Sequence, residues 1–435
     1  MRGEMDENRR KFKRGSRNRR NKISGRFFPE EGFKGIHDPI HARALILESG
    51  ERIAVISLEL PSLRPYTLID DMKETVRGCT GIDHRNIWIC MTHNLAAPHV
   101  PDENRMEYKY RIHMEAVKKA IHSACETALL NMEPVRIGTG TGYSDINVNR
   151  DIETPEGWWQ GINPAGISDK TLTVIKFEGV TGKTAAVIYH YAVKSSAMAA
   201  AVMEDGGRYV TSDVTGAASR IIETKLEAPA IFFMGAAADQ EPKRRAAFDQ
   251  INEKGDMIHV NLGSAGFDLV EELGEILAGD VVETAGKIVC SENAPVIHLE
   301  HTSFWLPGQQ FYQGGKPYHP MKNYEYIPSE DQELKVELLL FGNTVLFGLQ
   351  PEATAIVGMK LREMNPDFVP LMAAMVNGGK DYLSDESAFD RMTFGAIHSV
   401  FARGAAELFL MKSKELLDRL RLEYLEESND SKEIK

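Results

Sequence analysis

Cysteine is scarce and unpaired. The 435 residues hold four (Cys79, Cys90, Cys125 and Cys290), and no two stand as CxxC. That spacing argues against a disulfide framework or a thiolate zinc site and suits a reducing compartment. Cys90 lies in an apolar run and reads as a buried, inert thiol. No run of about 18 apolar residues occurs, so no membrane-spanning helix is expected. There is no internal repeat and no low-complexity linker. The opening residues lack the apolar stretch of a secretory signal, and their acids fit poorly with a mitochondrial presequence. A cytoplasmic location is the expectation.

What is present is an acidic chain with a basic head. The net charge is −12. Residues 1–26 carry eleven Lys or Arg against three acids, a net +8, which leaves −20 for the rest. An acidic body repels phosphate, so nucleic acid is not expected as a partner except through this head. The head itself reads as a flexible solvated tail. A small-molecule substrate is expected, and self-association is left open.

Hydrophobic periodicity predicts an α/β fold with mixed sheets and flanking helices. "HARALILE" and "RIAVISLELPS" read as strands split by a Ser-Gly-Glu turn. "RPYTLIDDMKETVRGC" has helical spacing, "RNIWICMTH" is a strand, and residues 104–132 form a long amphipathic helix. "KTLTVIKFEG" and "KTAAVIYHYAVKSSAM" make a hairpin about Val180–Lys183. A helix capped by Ser212 or Asp213 follows, then the strand "APAIFFMG" and the helix "FDLVEELGEILAGDVVETAGKI". "ELKVELLLFGNTVLFGLQPEAT" is a hairpin with a Gly-Asn turn. One domain is expected over 27–412, with long surface loops inserted around 296–335 because that stretch is rich in Pro, Gly, Tyr and Trp. Residues 413–435 read as a charged helix and tail.

The run "GTGTGY" at 138–143 invites a dinucleotide reading. It opens no helix, so the strand-turn-helix context of that fingerprint is missing. Glycines in a strand mark a bulge or a close backbone approach instead.

Polar groups stand where apolar strands stop: His93 after "IWICM", Lys194 after "YHYAV", Asp239 after "FFMGAAA", Glu352 after "VLFGLQP". Open α/β sheets bind ligands at such ends. Singly, each has an ordinary explanation as a hydrogen-bonded or capping group.

Seven segments in order resemble the neutral/alkaline ceramidases and their bacterial relatives over most of 37–403. They are "IHDPIHARALILESGERIAVISLEL", "MTHNLAAP", "NVNR", "HYAVKSSAM", "GAAADQEP", "GLQPEATAIVGMKLR" and "NGGKDYLSDESAF". The resemblance implies the family's catalytic fold and a hydrolase. It also implies a zinc ion held by two His, one Glu and one Tyr, positions that fall here on His93, Lys194, Glu352 and Tyr382. The family's second motif histidine is Leu95, and His99 has no counterpart. The serine two residues after the turn's Asp is Glu241, the glycine before it is Ala238, and a second active-site tyrosine is Phe394. The C-terminal immunoglobulin-like domain of longer members has no counterpart.

An ammonium has no lone pair for zinc. Either Lys194 ligates deprotonated, or its charge stands in for the metal, or His99 or His190 supplies the missing nitrogen. Zinc therefore stays open, with His93, Glu352 and Tyr382 as its ligands if it binds. His93, Lys194, Glu352, Tyr382 and Arg150 are the candidate catalytic residues. Lys194 and Arg150 would form a cationic floor for a carboxylate or an oxyanion. Asp239, Glu241, His99 and the loop pair Trp158 and Trp159 are candidates for substrate contact, the tryptophans by stacking on a sugar ring or covering an acyl chain. A ceramide substrate is not expected. A small polar substrate, sugar-derived or amide, suits a cytoplasmic hydrolase. The competing reading is a non-catalytic relative that keeps the pocket for ligand or partner binding.

Overall fold

Side chains on successive strand residues face opposite ways, and here both faces are apolar. On Ala42–Ser49, Ala44 and Ile46 enter one core while Leu45 and Leu47 enter another. The same split occurs on Glu51–Leu58, Ile87–Met91, Thr184–Tyr191 and Ala230–Met234. A strand buried on both faces reads as a continuous apolar run, as these do. The computed structural model describes residues 11–13, 27–63, 67–291, 297–311 and 317–423.

The result is four layers, helix, sheet, sheet, helix. The first sheet has eight strands, with Met132–Tyr143 and Thr171–Gly179 completing it beside the three-residue strand Lys11–Lys13. One face carries the helices Thr67–Thr80, Glu103–Leu130, Asp213–Leu226 and Gly266–Lys287. Its other face packs on a four-stranded sheet, Ile297–Gln310, Ile327–Phe341, Thr344–Leu349 and Val369–Ala373, through Trp88, Phe177, Phe233, Leu339, Phe341 and Leu346. The helices Ala355–Arg362 and Ala405–Arg421 cover the far side. The mixed α/β fold with flanking helices is as expected from the periodicity. Among the described residues no helix is long and apolar enough to cross a membrane.

The glycine run does close packing. An added Cβ on Gly138 or Gly140 would meet Ile288 at 2.6 Å, so bare backbone lets the end of Gly266–Lys287 sit against the sheet.

Three readings change. Where loops were expected around 296–335, Ile297–Gln310 pairs antiparallel with Ile327–Phe341, whose later half the hairpin reading had already taken as strand. Pro307 and Gly308 sit at a register break, and residues 328–333 are largely exposed, which hides the period of two. The last helix begins at Ala405 rather than 413 and drives Phe409, Leu410, Leu417 and Leu420 into the second core. Of the basic head, only Lys11–Lys13 is described, as a strand between Ala42–Ser49 and Met132–Tyr143. The rest of the head, residues 424–435 and Tyr312 lie outside the described residues.

Within the two large sheets three described strand pairs run parallel: Glu51–Leu58 with Ile87–Met91, Thr184–Tyr191 with Ala230–Met234, and Thr344–Leu349 with Val369–Ala373. Segment 374–377 then ties strands of both sheets together. Ala374 N donates to Met234 O (2.8 Å), Val376 N to Leu349 O (2.9 Å) and Asn377 N to Ile89 O (2.8 Å). Carboxyl ends that are distant in sequence thus open on one edge.

Candidate functional site

His93, Lys194, Glu352 and Tyr382 meet at that edge. Glu352 begins the short strand Glu352–Ala353, which pairs in parallel with Tyr382–Leu383, placing Glu352 and Tyr382 in register. Glu352 Oε1 lies 3.3 Å from His93 Nε2, and its Oε2 lies 3.0 Å from Lys194 Nζ. The second contact is an ion pair off the hydrogen-bonding direction, since Oε2 has no hydrogen-bond donor. The carboxylate bridges imidazole and ammonium.

His93 sits in a left-handed backbone conformation (φ 52°), and so do Met375 (φ 60°) and Asp381 (φ 46°) beside it. Non-glycine residues held there cost on the order of 1–3 kcal/mol each and cluster at functional sites. The turn aims the His93 ring, and Nδ1 donates to Pro61 O at 2.7 Å. That fixes Nδ1 as the protonated nitrogen and turns Nε2 to Glu352. Burial lowers the His93 pKa; the Glu352 carboxylate opposes this and the Lys194 charge reinforces it.

Lys194 lies beyond the end of its strand at Tyr191, not on it. Its side chain is 1% exposed and donates to Ala238 O at 3.1 Å. Glu241 Oε1 is 3.9 Å from Nζ and accepts from Arg150 at 3.2 Å; Ser196 Oγ donates to the other oxygen. Burial would raise the Glu241 pKa, but the charges of Lys194, Arg245 and Arg150 outweigh it and hold it at about 2. Arg150 lies beside the edge-to-face ring pair Tyr382 and Phe394, 5.5 and 5.4 Å from their centres and within cation–π range.

Asp239 is a structural hub. Its carboxylate accepts from Ala355 N (2.8 Å) and Asn149 Nδ2 (3.0 Å), and its carbonyl from Arg150 N (2.8 Å). One turn thereby fixes the segments that carry Arg150 and Glu352. Ser196, Arg245, Asn149 and the Pro61 carbonyl belong to this network and were given no role from the sequence, although Asn149 and Ser196 stand in the segments "NVNR" and "HYAVKSSAM".

A cavity of about 210 Å³ opens at His93, lined by Ser62, His93, His99, Glu352, Met375, Gly379, Asp381 and Tyr382. His99 is on its half-exposed rim, with Nδ1 3.0 Å from Glu31. Neither Lys194 nor Arg150 lines it, so the cationic floor is sealed behind Glu352 and Glu241. Asp239 and Glu241 are buried in the scaffold. The tryptophan pair is also off the cavity. Trp158 packs under Arg391 (4.9 Å) at a separate open groove with Ile152 and Phe248. Trp159 meets Phe394 edge-on (5.6 Å) and donates to Asp249. His190 is elsewhere, its Nε2 2.7 Å from Met372 O, and supplies no nitrogen here.

The donor set does not fit a resident zinc. The place of one ligand holds an ammonium already paired with Glu352, which has no lone pair and would repel a divalent ion. Among the described residues, no three His, Cys, Asp or Glu are grouped to hold a metal.

No family model and no curated protein matches the chain in sequence. Solved structures do match in shape. The neutral ceramidase from Pseudomonas aeruginosa superposes with a TM-score of 0.67 at 16% identity, over 95% of this chain and 75% of that one. A ceramidase complexed with C2 gives 0.65 at 15% identity, over 94% and 75%. The chain therefore has the ceramidase-like fold.

Proposed function

We propose that this chain is a ceramidase-like hydrolase acting on a small polar substrate, sugar-derived or amide, in the His93 cavity, with the Lys194 ammonium in place of the family's zinc. The observation that carries this reading is the Lys194–Glu352–His93 line, at 3.0 and 3.3 Å, ending on a cavity. Lys194 holds Glu352 beside His93, and the Nδ1 bond to Pro61 O orients the ring with Nε2 as the free base. His93 Nε2 removes a proton from water, whose oxygen bonds to the substrate's reacting carbon; as the old bond breaks, that proton passes to the leaving group. Tyr382, with Arg150 5.5 Å from its ring, is placed to donate a hydrogen bond to the developing oxyanion. A ceramide is disfavoured because about 210 Å³ is below the roughly 300 Å³ at which pockets begin to hold drug-sized ligands.

A second reading, a non-catalytic relative, has one observation in its favour. Lys194 and Arg150 are spent on carboxylates and do not line the cavity. Turnover of short N-acyl amides and simple glycosides separates the two. Hydrolysis that falls about 10²–10⁴-fold in a folded His93→Ala variant supports the enzyme. Saturable binding without turnover of any substrate supports the binding protein.

A further inference from the structure

Two imidazoles stand in the wall of the cavity, and the reaction above uses one. His93 is on the inner wall, its side chain 13% exposed; His99 is at the mouth, its side chain 49% exposed. Each ring has one nitrogen committed. His93 Nδ1 donates to Pro61 O at 2.7 Å. His99 Nδ1 lies 3.0 Å from Glu31 Oε2, and the His99 backbone N–H donates to the same oxygen at 3.2 Å. Burial would raise the Glu31 pKa, but the hydrogen bonds and charge of His99 outweigh it and hold it down, so Glu31 accepts and Nδ1 donates. On both rings the nitrogen left to exchange a proton is Nε2.

The His99–Glu31 pair is built into the fold. Glu31 takes a left-handed backbone (φ 47°), a conformation that costs a non-glycine residue energy and recurs at functional sites. Arg208 ties its two sides together: one guanidinium nitrogen donates to Glu31 O (3.3 Å) and another to Leu95 O (2.9 Å), and the group lies 4.1 Å from the centre of the Phe33 ring. The loop that carries His93 and His99 is thereby fixed to the segment that carries Glu31. Glu31, Arg208 and the buried His113 of Glu103–Leu130 are the titratable and charged groups about this pair, with His93, Glu352, Asp381 and Tyr382 elsewhere in the cavity wall.

We propose that His99 is the general acid of the site, its Nε2 protonating the leaving group while His93 Nε2 draws a proton from water, and that Glu31 is its positioning residue. This rests on the hydrolase reading above. In about 210 Å³ a bound group lies within reach of both rings, and a leaving group aimed at the mouth meets His99 on its way to solvent. As the water oxygen bonds to the reacting carbon, the electron pair of the breaking bond moves to the leaving atom, which takes the Nε2 proton of His99. His93 ends with one proton more and His99 with one fewer. Exchange through water at the mouth restores both, so the proton drawn by His93 reaches the leaving group by way of His99. A carboxylate behind one ring nitrogen, with the other free, is how a proton-transfer histidine is held.

Leaving groups separate an acid from a structural histidine. 4-Nitrophenolate departs without a proton, whereas methylamine and methanol need one. The probes are 4-nitrophenyl acetate against N-methylacetamide, and 4-nitrophenyl glucoside against methyl glucoside, with initial rates measured on the full chain at neutral pH. His99→Gln is expected to lower kcat/KM about 10²-fold on the methylamine or methanol member of a pair but less than about tenfold on its 4-nitrophenyl partner. Glu31→Gln is expected to show the same split at smaller size. The remaining 4-nitrophenyl turnover also reports that the variants are folded. Equal loss on both members of a pair, or no loss on either, overturns the acid role and leaves the hydrolase reading standing. A wild type confined to the 4-nitrophenyl members has no working acid, which overturns the assignment as well. A wild type that turns over no probe overturns the hydrolase reading and the His99 role together.

Discussion

Lys194 Nζ lies 3.0 Å from Glu352 Oε2, and Glu352 Oε1 lies 3.3 Å from His93 Nε2, so one carboxylate joins residues 101 positions apart in the chain. The ammonium is fully enclosed. It is held by two carboxylates and a backbone carbonyl. Its removal leaves negative charge buried without compensation.

Lys194→Met is therefore expected to destabilise the fold by about 3–5 kcal/mol, the usual cost of breaking a buried pair from one side. Adding Glu241→Gln should recover part of that loss. Urea denaturation of both single variants and the double gives the coupling. Strict additivity would show that the 3.9 Å contact carries no energy.

The buried cluster of Glu59, Arg43 and His41 contributes to acid stability. Burial would raise the Glu59 pKa, but the charges of Arg43 and His41 outweigh it and hold it at about 2. A folded pKa below the unfolded value of about 4.3 means the stabilisation is complete above that value. It is lost as pH falls towards 2 and amounts to about 3 kcal/mol. Glu59→Gln should flatten the acid limb of unfolding free energy against pH. An unchanged limb would assign acid unfolding to other groups.

Gly138→Ala or Gly140→Ala is expected to cost about 1–3 kcal/mol, because the new methyl meets Ile288 at 2.6 Å in a packed layer. Denaturation midpoints measure this. A neutral effect at both positions would remove the close-approach explanation of the glycine run.

Trp158→Ala should leave turnover within about twofold, since this ring is absent from the His93 cavity. Initial-rate kinetics on any accepted substrate decide it. A large rise in KM would place the tryptophan in the substrate path after all.

Much of this arrangement was legible in the sequence, for local reasons. Strands such as Ile87–Met91 and Ala230–Met234 are apolar on both faces, so their ends, and the polar groups just past them, stand out. Lys194 was recognisable from its motif but not its burial, because nothing local says that Glu241 and Glu352 arrive from 47 and 158 residues away. That distant arrival is also why a cationic floor was expected where carboxylates cover the cations. Ile297–Gln310 and the part of Ile327–Phe341 before Glu333 were misread because Pro, Gly and exposed acids blurred the alternation that a partner strand later restores. Trp158 and Trp159 looked free because their cover, Arg391 and Phe394, follows more than 200 residues later.

The metal content of the native protein, purified without added metal or chelator and measured by elemental analysis against protein concentration, tests the central claim most directly. A lysine that has taken over the role of the cation predicts well under a tenth of an equivalent of zinc or any other transition metal. One equivalent, lost together with activity on His93→Ala, would contradict it and put a metal back between His93 and Glu352.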